Sequence, residues 1–183
     1  MMRRKIFIGV ELPVDLKKRL TQKIERWEGL PIRWSREENL HLTLAFLGFV
    51  DDEIIFDVCE KVKKAVKDTE IFDIDLQKIE LGPTADKNAR VVWFTGKADE
   101  RLKRLVENIE KSLGIFNKRK KIFKPHITLG RIRKYDWRRL KETPNLAEDF
   151  SVLLTIDKAQ VIESAVVDGK RNFSVIENCP LKD

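Results

Sequence analysis

The apolar positions of this chain alternate between two periods, about 2 and about 3.6 residues, and the changes of period mark its elements. Lys5 to Leu12 is rich in Ile, Phe and Val and stops at Pro13, the pattern of a strand running into a helix with proline in its opening turn. Leu16, Leu20, Ile24 and Trp27 then recur at helical spacing until Gly29 and Pro31 end the run, and Ile32 to Ser35 reads as a short strand. Asn39 to Phe49 is a longer strand. Asp51 and Asp52 stand where they can cap a second helix, whose buried stripe is Ile55, Val58, Cys59, Val62 and Val66. Ile71 to Leu81 alternates imperfectly and closes at Gly82-Pro83, and Val91 to Phe94 within Arg90 to Thr95 reads as a buried strand. Asp99 opens a third helix with Leu102, Leu105, Val106, Ile109 and Leu113 inward, and Gly114 ends it. After a strand near 123-132 and a short helix, Phe150 to Ile162 and Arg171 to Ile176 read as closing strands around a turn at Asp168-Gly169.

This order predicts an α+β fold of two related, pseudo-symmetric lobes. Each is an antiparallel sheet with helices packed outside, and the cleft lies where the lobes meet. No Gly/Ser-rich linker divides the chain, so residues 1-183 are expected to form a single bilobal domain.

Two strands carry a repeat. Residues 41-48 read His-Leu-Thr-Leu-Ala-Phe-Leu-Gly, residues 126-130 read His-Ile-Thr-Leu-Gly, and the chain has two histidines in all. Because strand side chains alternate faces, His41 and Thr43 share one face while Leu42 and Leu44 share the other; His126 and Thr128 stand likewise against Ile127 and Leu129. Each tetrad presents an imidazole and a hydroxyl about 6 to 7 Å apart above an apolar floor.

A net charge of +7 and a pI near 9.4 favour an anionic partner such as nucleic acid. Basic residues cluster around the second tetrad: Lys118 to Lys121 before it, then Arg131, Arg133, Lys134, Arg138 and Arg139, with Tyr135 and Trp137 interleaved as candidate stacking platforms. Cys59 and Cys179 lack Cys-x-x-Cys spacing, which suits two structural thiols in a reducing compartment. The apolar run Ile6 to Val10 is too short for a signal peptide or a membrane span, so a cytoplasmic protein with no membrane partner is expected.

Catalytic zinc ordinarily takes three protein ligands, and two histidines without an associated Cys or His-Glu-x-x-His frame do not supply them. A serine-hydrolase triad leaves one histidine unexplained. No Gly-x-x-x-x-Gly-Lys-Ser/Thr or Gly-x-Gly-x-x-Gly stretch marks a nucleotide loop, so neither metal nor cofactor is expected. Two imidazoles suit acid and base in one displacement near neutral pH, as in phosphodiester cleavage. Thr43 and Thr128 would then hydrogen-bond the non-bridging oxygens, with Arg131 adding charge.

On Ile6 to Val10, Glu38 to Leu44 with Phe46-Leu-Gly48, Val92-Trp93 and Phe123 to Arg131, the chain resembles the 2H phosphoesterases, in particular the RNA 2',3'-cyclic phosphodiesterases also called 2'-5' RNA ligase-like proteins. The resemblance spans nearly the whole chain, and the two His-x-Thr-x tetrads are the family signature. It implies opening of a terminal 2',3'-cyclic phosphate to a 2'-phosphomonoester, with His41 as proton donor, His126 as proton acceptor and Thr43 and Thr128 on the phosphate. Arg131 matches the basic residue that often follows the second motif; strict alternation turns it away from His126 unless a bulge at Gly130 restores it. The implied partner is an RNA end or a small cyclic nucleotide, taken up by a monomer. Reversible 2'-5' ligation, action on cyclic mononucleotides and RNA binding without turnover are the alternatives.

Overall fold

The computed structural model describes residues 2–115 and 123–183. The basic run at 118–121 lies outside them. Among the described residues, nine strands and four α-helices follow one another as β1 (Arg3–Glu11), α1 (Val14–Glu25), β2 (Ile32–Trp34), β3 (His41–Asp51), α2 (Ile55–Val66), β4 (Phe72–Gly82), β5 (Val91–Gly96), α3 (Glu100–Ser112), β6 (His126–Ile132), α4 (Lys134–Arg138), β7 (Glu148–Ile156), β8 (Lys158–Val167) and β9 (Lys170–Pro180). The strands are ordered β7-β4-β5-β6-β3-β1-β8-β9, with β2 also on β6. Every pairing between these strands is antiparallel.

Two four-stranded halves meet at β6 and β3, the two motif strands, which pair through Leu42 and Ile127 alone. Both of these side chains have 0% exposure, and the apolar face they belong to carries the helices and the core. Helices brace the narrow seam. α1 follows β1 yet reaches the other half, where Lys23 pairs with Glu148 at 2.5 Å and lies over the Phe150 ring of β7. α3 follows β5 yet packs on α2, where Ser112 Oγ donates to the Lys61 carbonyl at 2.9 Å. Asp99 caps α3 as its position suggests, accepting from the backbone N–H of Arg101 at 2.8 Å and of Leu102 at 3.1 Å.

Three expectations need correction. Phe150 to Ile162 is not one strand: it breaks at Asp157 into β7, beside β4, and β8, beside β1 in the opposite half. The halves are therefore not consecutive in sequence, since β8 and β9 complete the sheet begun by β1 and β3. Asp51 and Asp52 do not cap α2, which starts at Ile55 after one 3-10 turn and has no side-chain cap. Finally, α1 ends at Glu25, short of Gly29, and hydrogen-bonded turns such as Trp27 N–H to the Ile24 carbonyl at 2.9 Å carry the chain on.

Asp168 and Gly169 have φ of 50° and 71°, the left-handed pair that closes the β8–β9 hairpin. Cys59 and Cys179 are free and buried, and burial pushes the Cys179 thiol up to about 12. Among the described residues no helix is long and apolar enough to cross a membrane.

Because the seam rests on one ladder pair, Leu42→Ala should cost about 2 to 5 kcal/mol, the range for emptying a fully buried leucine site. A urea-derived unfolding free energy lowered by less than about 1 kcal/mol would show that the helices, rather than this contact, hold the halves together.

Candidate active site

The Leu42–Ile127 pair sets the register of the motif strands. Continued in the antiparallel sense, it puts His41 opposite Thr128 and Thr43 opposite His126, all on the face that the helices leave open. The four residues are half-buried, while Leu42, Leu44, Ile127 and Leu129 form the floor beneath. The two histidines and two threonines of the tetrads therefore stand together on one face of the seam.

Both imidazoles are held by the same local device. His41 Nδ1 lies 2.7 Å from the Asn39 carbonyl and His126 Nδ1 lies 3.0 Å from the Lys124 carbonyl. A carbonyl only accepts, so Nδ1 carries the proton in each ring, and a neutral imidazole leaves Nε2 as its basic atom. His41 Nε2 lies 2.9 Å from Thr43 Oγ1, whose hydroxyl donates to it when the ring is neutral. In each tetrad the carbonyl two residues upstream fixes the tautomer.

The surroundings differ. His41 lies 4.7 Å from the Phe7 ring and 4.9 Å, edge to face, from Phe173. Arg36 and Asn39 keep Phe173 in place by donating to the carbonyl of Arg171, and Arg36 also to Asn172 Oδ1 at 2.5 Å. His126 instead lies 5.0 Å from Trp93, whose ring crosses Gly82: a Cβ there would come within 2.3 Å of the indole. Lys124 sits 5.6 Å over the same indole and pairs with Glu80 at 2.9 Å.

Burial pushes His41 below the usual 6.5; the Asn39 hydrogen bond opposes this, while the positive charges of Lys17, His126 and Arg131 add to it. Lys17 is 6% exposed and pairs at 2.8 Å with Glu11, the β1 partner of His41. Sequence reading missed Lys17, Phe173 and the site role of Trp93. A lysine beside Leu16 and Leu20 reads as the wet side of a helix, and aromatics in β-rich runs read as core.

Arg131 is exposed and returns to the cleft face through a bulge. Val92 pairs with Gly130 and Trp93 with Thr128, so Leu129 is the extra residue and two inward positions follow each other. The bulge thus falls one residue ahead of Gly130, which itself has no room for a Cβ: Ile32 Cγ2 would lie at 2.6 Å. β3 has the same irregularity, with Ile8 opposite Ala45 and Gly9 opposite Thr43. Trp137, in contrast, is 1% exposed and donates to the Asp86 carbonyl at 3.4 Å, so it is an anchor for α4 and not the stacking surface expected of it. Tyr135 is 72% exposed. Among the described residues no group of three or more His, Cys, Asp or Glu side chains is placed to hold a metal ion.

A family model for LigT-like phosphoesterases matches residues 10–93, which include the first tetrad. The chain is similar to the RNA 2',3'-cyclic phosphodiesterase of Thermotoga maritima, with 28% identity over 184 aligned positions covering 94% of this chain and 93% of that one. In sequence and in fold the chain is similar to the LigT-like phosphoesterases. The family fold extends to TT0787 of Thermus thermophilus, with a TM-score of 0.78, 21% identity and 97% of both chains covered. It extends equally to E. coli LigT complexed with phosphate, with a TM-score of 0.76, 20% identity and both chains covered completely. The LigT-like fold therefore includes β8 and β9, which lie beyond the matched family segment.

The lowered pKa of His41 makes folding sensitive to acid. Between 6.5 and the lower folded value the unfolded chain binds the proton more readily, so stability present above 6.5 is lost as the pH falls through the folded value. Melting temperatures taken from neutral to mildly acid pH should fall more steeply for the native protein than for His41→Gln; parallel curves would contradict the assignment.

Proposed function

We propose that residues 1-183 work as one bilobal unit that hydrolyses the 2',3'-cyclic phosphate end of RNA to a 2'-phosphomonoester. The observation that carries this reading is the pair of His-x-Thr tetrads on adjacent strands, each with its Nδ1–H tied back to a carbonyl, which leaves Nε2 as the atom for proton exchange, in His41 beside the Thr43 hydroxyl. The similarity to RNA 2',3'-cyclic phosphodiesterases supports the choice of substrate.

In this scheme His126 Nε2 takes a proton from water as the water oxygen bonds to phosphorus. His41, protonated at Nε2, donates to the 3' oxygen as the P–O3' bond breaks on the opposite side. Thr43 and Thr128 donate hydrogen bonds to the non-bridging oxygens, and the Arg131 guanidinium adds positive charge beside them. The negative charge of the bound phosphodiester opposes the desolvation that keeps free His41 neutral, so binding itself favours the acid form. All proton transfers are carried by side chains, and the scheme requires no metal or organic cofactor. Two free, buried thiols suit a reducing cytoplasm.

RNA ending in a 2',3'-cyclic phosphate should yield the 2'-monoester with or without EDTA; a 3'-monoester or EDTA-sensitive turnover would overturn the scheme. His41→Ala and His126→Ala should each lower kcat by about 100- to 10,000-fold, and Thr43→Val or Thr128→Val by about 10- to 1,000-fold, with folding retained. Turnover near the native rate in either histidine variant would exclude acid-base catalysis by the pair.

A bound phosphodiester opposes the downward shift of His41, so the alkaline limb of kcat, set in the complex, should lie at higher pH than that of kcat/KM, set in the free enzyme. Coincident limbs would remove the role given to the substrate's charge.

A further inference from the structure

Beyond the cleft, basic residues follow one another along β2, β6 and α4. Some cations of the protein are paired, as Arg3 is with Asp51, Arg4 with Asp52 and Lys61 with Asp57. Arg33, Arg131, Arg133, Lys134, Arg138 and Arg139 form no ion pair with any described carboxylate. Two of them are held side by side, since Arg33 of β2 is the cross-strand partner of Arg131 of β6. Ile32 and Trp34 lie against Gly130 on the core side, so the alternation of β2 turns Arg33 to the same open face as Arg131. Like charges directly opposite each other on a sheet repel, and an anion lying between them relieves that repulsion.

The basic residues continue onto α4. Tyr135, Arg138 and Arg139 are spaced to share one helix face, and Asp136 falls off it. With Lys134 they border a groove of about 460 Å³. The Arg139 guanidinium lies 5.3 Å from the Tyr135 ring centroid and donates to its hydroxyl at 3.2 Å, and Arg138 donates to Asn88 Oδ1 at 3.1 Å. Buried Trp137 fixes the helix from beneath, so the groove stands on a rigid base. An exposed aromatic ring among guanidinium groups, without carboxylate partners, suits a single strand that offers phosphates and unstacked bases.

The geometry points to a path for the RNA strand on the 5' side of the cyclic end, running from the cleft along β6 past Arg131 and Arg33 to the Tyr135, Arg138 and Arg139 face of α4. The path rests on the RNA-end reading above. From His126 to Ile132 the strand covers about 20 Å, so a cyclic mononucleotide fills the cleft without reaching α4. An oligonucleotide spans both.

The test uses binding as well as turnover. A fluorescent octanucleotide RNA ending in a 2'-phosphate is titrated against the native protein, Arg138→Ala/Arg139→Ala and Tyr135→Ala at several salt concentrations. The double variant should bind at least about 10-fold more weakly at low salt, and its log-log salt slope should be shallower by about 1.4, or about 0.7 for each lost phosphate contact. Tyr135→Ala should lose about 5- to 100-fold through one unstacked base. Both variants should hydrolyse a 2',3'-cyclic mononucleotide at the native kcat/KM. Native affinity and slope in the double variant would overturn the path, as would an equal loss of mononucleotide turnover. Because binding to the product end needs no chemistry, a protein that binds as described but hydrolyses nothing would sink the proposed reaction and leave the path standing.

Discussion

The open cleft depends on how little backbone joins the two halves. β3 and β6 share the single ladder pair Leu42–Ile127, and farther along β6 the same edge is taken by β2 through Ile32–Ile132, Arg33–Arg131 and Trp34–Gly130. The segment from Ile32 to Leu42 thus follows β6 as an interrupted strand, and the 3-10 turn Glu37–Asn39 is the interruption. That turn leaves the sheet at the site and supplies both the carbonyl that orients His41 and the side chain that secures the β8–β9 hairpin beside it. A continuous ladder would have closed this edge with backbone hydrogen bonds and left the motif side chains on a flat surface.

The repeated tetrads were legible because strand alternation turns residue spacing directly into facing. His41, Thr43, His126 and Thr128 needed no tertiary information beyond the statement that their strands meet. Arg131 shows where alternation alone fails. Its facing depends on one extra residue at Leu129, a backbone event that the sequence announces only through the neighbouring Gly130. The boundary at Asp157 was harder still. β7 and β8 are both β-rich apolar runs, and which sheet edge each one joins is decided by shape complementarity between distant segments, for which no local periodicity exists.

Placing equivalent histidines on equivalent strands does not make them chemically equivalent. Both have Nδ1 tied to a carbonyl, yet His41 is enclosed by Phe7 and Phe173, which withhold water, whereas His126 rests beside one indole with a lysine above it. The same bulge in both motifs extends the comparison: the position held by Arg131 on one strand is held by Phe46, 68% exposed, on the other. One wall of the cleft is thus cationic and the other aromatic. That difference in desolvation and charge pushes the His41 imidazole below its ordinary value, and in the proposed reaction the bound anion opposes that shift.

Such a difference is useful only if the two walls keep their separation, and one buried ladder pair cannot ensure that. The crossed helices can. α1 carries the covalent continuation of β1 onto Glu148 and Phe150 of the opposite half, and α3 carries that of β5 back onto α2. Opening the cleft as a hinge would have to break packing on both helices at once, so the histidines are held at their spacing before any phosphate arrives. The cost of ordering the two imidazoles is met during folding and not during binding, which is what proximity catalysis in the proposed reaction requires.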